Sequence, residues 1–104
     1  MFQRLYSKGT SCSDKNIVVY FLPNRKNYNR LGITVGKKIG CAVLRNRIRR
    51  LIKENYRINE ERIKMGYDIV LVARKHIVSE NFHTIGISLN TLLDKQKLLV
   101  SDDE

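Results

Sequence analysis

The chain has 104 residues, enough for one domain with a single modest core. Its composition, 42% hydrophobic and 29% charged with one Pro, is globular and excludes a low-complexity segment, a repeat array or an apolar run of the roughly 20 residues that span a membrane. Twenty Lys and Arg against ten Asp and Glu leave a net charge of +10, which predicts attraction to nucleic acid or to an anionic surface. Cys12 and Cys41 have no CxxC spacing and no neighbouring His cluster, which excludes a disulfide framework and a zinc site. The N-terminus lacks a signal-peptide apolar region, so a soluble, cytoplasmic protein is expected.

In chain order, Phe2 and Tyr6 lie four residues apart and share one face of a short opening helix that Gly9 ends. A further short strand is expected near Cys12. Asn16 to Leu22 is rich in β-formers, with Ile17, Val19 and Phe21 on one face and Val18, Tyr20 and Leu22 on the other, and Pro23 closes it. Both faces are apolar, so the strand is either covered on both sides or offers an aromatic platform for something flat. Asn24 to Arg30 is a basic turn. Leu31 to Val35 returns as a strand whose Gly32 and Thr34 leave space on one face for a packed neighbour or a ligand strand. The Gly36 to Gly40 turn lacks the order of a nucleotide-binding P-loop, which excludes a mononucleotide site.

The positive charge is concentrated in the next segment. From Lys37 to Arg57 there are eight Lys and Arg against one acid, Glu54, a net +7 of the chain's +10. At 100° per residue, Leu44, Ile48, Leu51 and Ile52 occupy an arc of roughly 100°, the width of a core-facing stripe. Arg45, Asn46, Arg49, Arg50, Lys53 and Arg57 occupy a separate arc of about 140°. A helix face selected only for solubility interleaves acids, and i,i+4 repulsion among Arg45, Arg49 and Lys53 costs a little stability. A polyanion would relieve it.

Ile58 to Met65 is expected to continue this helix, with Gly66 as the stop. Tyr67 to Ala73 is a nearly unbroken apolar run, the pattern of a strand buried on both faces in parallel pairing. Arg74-Lys75-His76 forms a second basic cluster. Ser79 is expected to cap a last helix with an apolar stripe of Phe82, Ile85, Leu89, Leu92, Leu93 and Gln96, and residues 98–104 form a frayed tail ending in the acidic Ser101 to Glu104. The fold class is α+β: one domain over residues 1–104, with helices on a small mixed sheet in the order α-β-β-(β)-α-β-α. His76 and His83 are read as ordinary surface histidines. No carboxylate pairs with a His or Lys at helical or strand spacing, so no catalytic residue and no metal site is assigned.

The combination of Lys37, Lys38, Gly40, Ala42, Val43, Arg45, Asn46, Arg47, Arg50 and Lys53 resembles the signature of the protein subunit of bacterial ribonuclease P. The order of elements fits that family over nearly the whole chain. Cys41 stands where the family more often has a small polar residue, and His76 where Pro is common. The resemblance implies a left-handed β-α-β crossover and a role in removing the 5′ leader from precursor tRNA. In that family the RNA subunit performs the cleavage with bound Mg²⁺, and the protein itself carries no cofactor. It further implies that Lys37, Lys38, Arg45, Asn46, Arg47, Arg49, Arg50 and Lys53 meet the catalytic RNA. Phe2, Tyr6, Val18 and Tyr20, rimmed by Lys37 and Arg74, would form the cleft for the single-stranded leader. The partners expected are thus the catalytic RNA and precursor tRNA, without a membrane. A ribosomal protein or general RNA chaperone is the alternative, and preference for precursor over mature tRNA separates the two. An RNA-cutting enzyme acting alone is disfavoured by the missing catalytic groups.

Overall fold

The computed structural model describes residues 2–100. The elements are α1 (Phe2–Lys8), β1 (Thr10–Ser13), β2 (Ile17–Pro23), β3 (Arg30–Thr34), α2 (Ala42–Asn59), β4 (Tyr67–Ala73) and α3 (Phe82–Lys95), with single 3₁₀ turns at Lys37–Ile39, Glu60–Arg62 and Lys75–Ser79. The short strand expected near Cys12 is β1. The four strands form one mixed sheet in the order β1-β2-β4-β3. Strand β4 is central: it pairs antiparallel with β2 from Ile17↔Ala73 to Pro23↔Tyr67, and parallel with β3 from Arg30↔Asp68 to Thr34↔Val72. Its unbroken apolar run follows from that position, since Ile69, Val70 and Leu71 are all fully buried.

The two faces of the sheet have different fates. Ile17, Val19, Ile69, Leu71 and Ala73 form the main core with Ile48, Ile52 and Tyr56 of α2 and Ile85, Leu89, Leu92 and Leu93 of α3. On the reverse face, α1 packs against β2 and β4 through the buried Leu5, and the register places Val18, Tyr20, Gly32, Thr34, Val70 and Val72 on that side. One face is core, and the other is covered only where α1 lies.

Several boundaries differ from expectation. Helix α2 stops at Asn59 rather than running to Met65, because Ile63 is buried and makes an antiparallel bridge to Leu99. Gly66 is consequently not a helix stop; at φ +95° it turns the chain into β4, and its carbonyl accepts the Asn24 amide at 2.8 Å. The cap of α3 is Asn81, not Ser79. Asn81 Oδ1 accepts the Thr84 amide and Thr84 Oγ1 accepts the Asn81 amide, both at 3.0 Å, while the Ser79 hydroxyl donates to the His76 carbonyl. The tail begins later than residue 98: Leu98 is buried, and Val100 donates to the Arg62 carbonyl. The acidic Ser101 to Glu104 lie outside the described residues.

Candidate nucleic-acid interface

The turn before α2 is anchored by one apolar side chain. Ile39 is buried, and the 3₁₀ turn closes with Ile39 and Gly40 amides donating to the Gly36 and Lys37 carbonyls, which leaves Lys37 and Lys38 in solvent. Gly40 is required here. Its φ of +148° suits glycine, and a Cβ would lie 2.8 Å from a Leu44 methyl.

On α2 the buried face is centred about 40° further round the helix than Leu44, Ile48, Leu51 and Ile52 alone predict. Tyr56 accounts for it: it is buried beyond the far edge of that arc, whereas the buried Asn55 and Asn59 fall inside it. The Asn55 amide donates to the Leu51 carbonyl and across to the Phe82 carbonyl of α3, both at 3.0 Å, and Gly86 lets α3 approach there. Burial pushes the Tyr56 phenol's pKa up, against a hydrogen bond with Asn29 that lowers it. This rotation makes Arg45 and Arg49 half-buried and leaves Asn46, Arg47, Arg50, Lys53 and Arg57 as the exposed face. The Arg49 guanidinium donates to Asn46 Oδ1 at 3.0 Å, and Arg45 Nε is buried without a partner. Among the described residues the ion pairs are Arg30–Asp68 and His76–Glu80, so none neutralises a cation of α2.

The second surface is the uncovered part of the reverse sheet face. Phe2 and Tyr6 stack at 6.4 Å between centroids, and Tyr6 meets Tyr20 edge-on at 4.8 Å. Both α1 rings remain exposed, so the helix carries an aromatic wall and does not bury it. Beyond Tyr20 the register continues to Val18 and its partner Val72. There a mostly apolar concavity of about 540 Å³ opens, lined by Thr34, Val72, Ala73 and Ile39 and rimmed by Lys37, Lys38, Arg74 and Lys75. Arg74 is fixed to the β1–β2 turn, its Nη1 donating to the Asp14 carbonyl and its amide to the Asn16 carbonyl. The structure thus brings Phe2, Tyr6 and Tyr20 together on the reverse face and sets Lys37 and Arg74 at the rim of the concavity, with Val18 next to its lining residue Val72. Thr34, Val72 and Lys75 line it too. The small side chain of Thr34 gave a sequence signal for that space; Val72 gave none, because a strand apolar on both faces does not say which face is open.

At the opposite end of the sheet, the buried Asp68 carboxylate accepts Arg30 Nε at 2.7 Å, Arg30 Nη2 at 2.5 Å and Asn24 Nδ2 at 3.1 Å. The Arg30 hydrogen bond, joined by that of Asn24, holds its pKa below the usual carboxylate value despite burial. A second concavity, of about 440 Å³, lies between α2 and α3 at Glu54, Arg57, Ile58 and Phe82.

The family described as Ribonuclease P matches residues 1–97. A ribonuclease P protein component of Alkaliphilus oremlandii is 42% identical over 96% of this chain and 88% of its own length. One from Clostridioides difficile is 44% identical over 95% and 88%. Among solved structures, the Staphylococcus aureus RNase P protein superimposes with a TM-score of 0.87 at 39% identity, covering 94% of this chain and 90% of that one. The Thermotoga maritima RNase P protein in complex with 1-(4-fluorophenyl)-2-thiourea does so at 0.84 and 36%, covering 90% and 92%.

Proposed function

The chain belongs to the ribonuclease P protein family, the protein component of the ribonucleoprotein endoribonuclease that processes tRNA 5′ ends, and from that premise we propose how its two surfaces divide the work. Lys37, Lys38 and the face of α2 bearing Arg45, Asn46, Arg47, Arg49, Arg50 and Lys53 bind the catalytic RNA. The groove from Phe2, Tyr6 and Tyr20 past Val18 to Lys37 and Arg74 holds the unpaired 5′ leader of precursor tRNA. The observation that carries this reading is the groove itself: an aromatic wall, an apolar floor and a cationic rim suit the bases and phosphates of a single strand of any sequence.

Mg²⁺ enters through the RNA subunit. The rim of the concavity carries Lys37, Lys38, Arg74 and Lys75. What these cations supply is an offset to phosphate repulsion where RNA subunit and substrate meet. The test is reconstitution with the RNA subunit, then measurement of dissociation constants for precursor and mature tRNA. The protein is expected to strengthen precursor binding selectively. An equal gain for both RNAs would overturn the leader role and favour a general RNA-binding protein.

A further inference from the structure

The basic β2–β3 loop, residues 24–30, belongs to neither of the two surfaces. It carries Arg25, Lys26 and Arg30 and no acid. Arg30 is paired with Asp68, but Arg25 and Lys26 are exposed and make no ion pair among the described residues. Two asparagines hold the loop in shape. Asn24 Oδ1 accepts the Lys26 amide at 2.8 Å, and its Nδ2 donates to the Tyr28 carbonyl and to Asp68 Oδ1, both at 3.1 Å. Asn29 Nδ2 donates to the Lys64 carbonyl at 3.0 Å, and its Oδ1 accepts the Tyr67 amide at 2.9 Å. Between these anchors Arg25 takes a left-handed φ of +61°, which a residue other than glycine holds only when its surroundings fix it. The result is a rigid loop that presents a ring to solvent: Tyr28 is 50% exposed, with the Lys26 ammonium 5.6 Å from its ring centroid.

A loop that only reverses the chain needs neither an exposed aromatic ring nor a strained arginine. A ring flanked by cations without an acid suits an unpaired nucleotide, whose base stacks while its phosphates meet the charges. The position of the loop says which strand it meets. Asp68, bonded to Asn24 and Arg30, shares the reverse sheet face with Val70 and Val72 by alternation, and these two pair with Tyr20 and Val18. Along that face the order is the cationic rim, Val72, Tyr20 with the α1 rings, and then Asp68 with the loop. From Val72 to Tyr67, whose amide holds Asn29, the distance along β4 is roughly 17 Å at about 3.3 Å per residue. A single strand that leaves the groove on the side away from Lys37 and Arg74 runs toward the loop. We propose that the β2–β3 loop is a second contact for the 5′ leader, with Tyr28 stacking an unpaired base and Arg25 and Lys26 meeting its phosphates, so that nucleotides beyond those in the groove still add affinity. This rests on the leader reading and makes leader length a determinant of binding.

The test uses the reconstituted holoenzyme, mature tRNA, and precursors whose unstructured leaders are lengthened one nucleotide at a time. Wild-type affinity should rise in two stages, first as the groove fills and again as the leader reaches the loop. Tyr28→Ala should lose the second stage alone, about fivefold or more for the longest leaders, the low end of one stacked base. Short leaders and mature tRNA should bind it as they bind the wild type. Tyr28→Phe keeps the ring and should keep the second stage. Arg25→Gly removes a charge where the backbone suits glycine, and should reduce the salt slope for long leaders by up to about one while leaving short leaders unchanged. Losses equal at every length, mature tRNA included, would assign the loop to another RNA surface or to folding and overturn the proposal. So would a Tyr28→Ala protein that binds long leaders as tightly as the wild type. If the wild type binds precursors of every length as it binds mature tRNA, the leader reading fails and takes this proposal with it, a separate and recognisable result.

Discussion

Asn55 Oδ1 stands where a side chain at position 86 would have to begin, since a Cβ on Gly86 would lie 2.6 Å from it. Asn55 cannot easily yield, because its amide nitrogen is held by the Leu51 and Phe82 carbonyls. Gly86→Ala gains about 1 kcal/mol of helix propensity, and overpacking costs about 1–3 kcal/mol. The balance is a lower melting temperature, by several degrees at about 4–8 °C per kcal/mol for a domain of this size. A thermal melt decides it, and a variant as stable as the wild type would mean that α2 and α3 can separate at little cost.

The salt dependence of RNA binding should follow the rotation of α2. Arg47→Ala and Arg50→Ala remove exposed charges, and each should reduce the slope of log affinity against log salt for the RNA subunit by up to about one. Arg47→Ala and Arg49→Ala should also raise the Mg²⁺ required for cleavage. Salt titrations and Mg²⁺ curves that match the wild type in all three variants would return α2 to an ordinary solvated helix.

Tyr20 separates groove from core. It is half-buried on the reverse face against Tyr6, outside the main core cluster. Stacking of a base contributes roughly 1–3 kcal/mol. Tyr20→Ala should therefore weaken holoenzyme binding of precursor tRNA by about tenfold or more, with mature tRNA nearly unaffected. Paired dissociation constants with and without the leader measure this. Equal losses on both RNAs would mark Tyr20 as structural.

Acid should expose the worth of Asp68. With its folded-state pKa held below the unfolded value by Arg30, the carboxylate contributes stability above the ordinary carboxyl range of about 4, and that contribution is lost as pH falls through the folded value. Asp68→Asn should be less stable than the wild type at neutral pH by about 1–2 kcal/mol, a discounted figure because Arg30 is partly in solvent. In urea melts the gap should close below about pH 4. A gap that does not change with pH would assign the loss to packing.

The elements themselves were legible because each writes a local pattern: alternation in β2, an unbroken run in β4, helical spacing in α3. The parallel β3–β4 pairing followed from β4's two-sided burial and the helix that precedes it, but the order of the sheet did not, since no local pattern says that β2 also pairs with β4. What was not legible depended on polar residues with distant partners. Asn55 and Asn16 look like surface residues in sequence, yet each is buried where a carbonyl or hydroxyl on another element completes its hydrogen bonds. Asn55 ties α2 to α3 through the Phe82 carbonyl, and the buried Tyr56 decides which arginines face outward. Asn16 holds one ring nitrogen of His76, which stays at the surface as expected. The cap at Asn81 was obscured by Ser79, an equally good capping residue two positions earlier, and only the reciprocal bond with Thr84 distinguishes them.

Strand β4 lies between β2 and β3, although it follows both in the chain with α2 in between. The two earlier strands have no pairing with each other to hold them while they wait, so neither the groove floor nor the platform that seats α2 exists until residues 67–73 arrive. Closing that long loop costs entropy before any pairing repays it, which slows folding and makes it concerted. The RNA-binding helix and the groove are therefore expected to appear in one kinetic step, and a partly folded chain would be basic but unable to present either surface in its working arrangement.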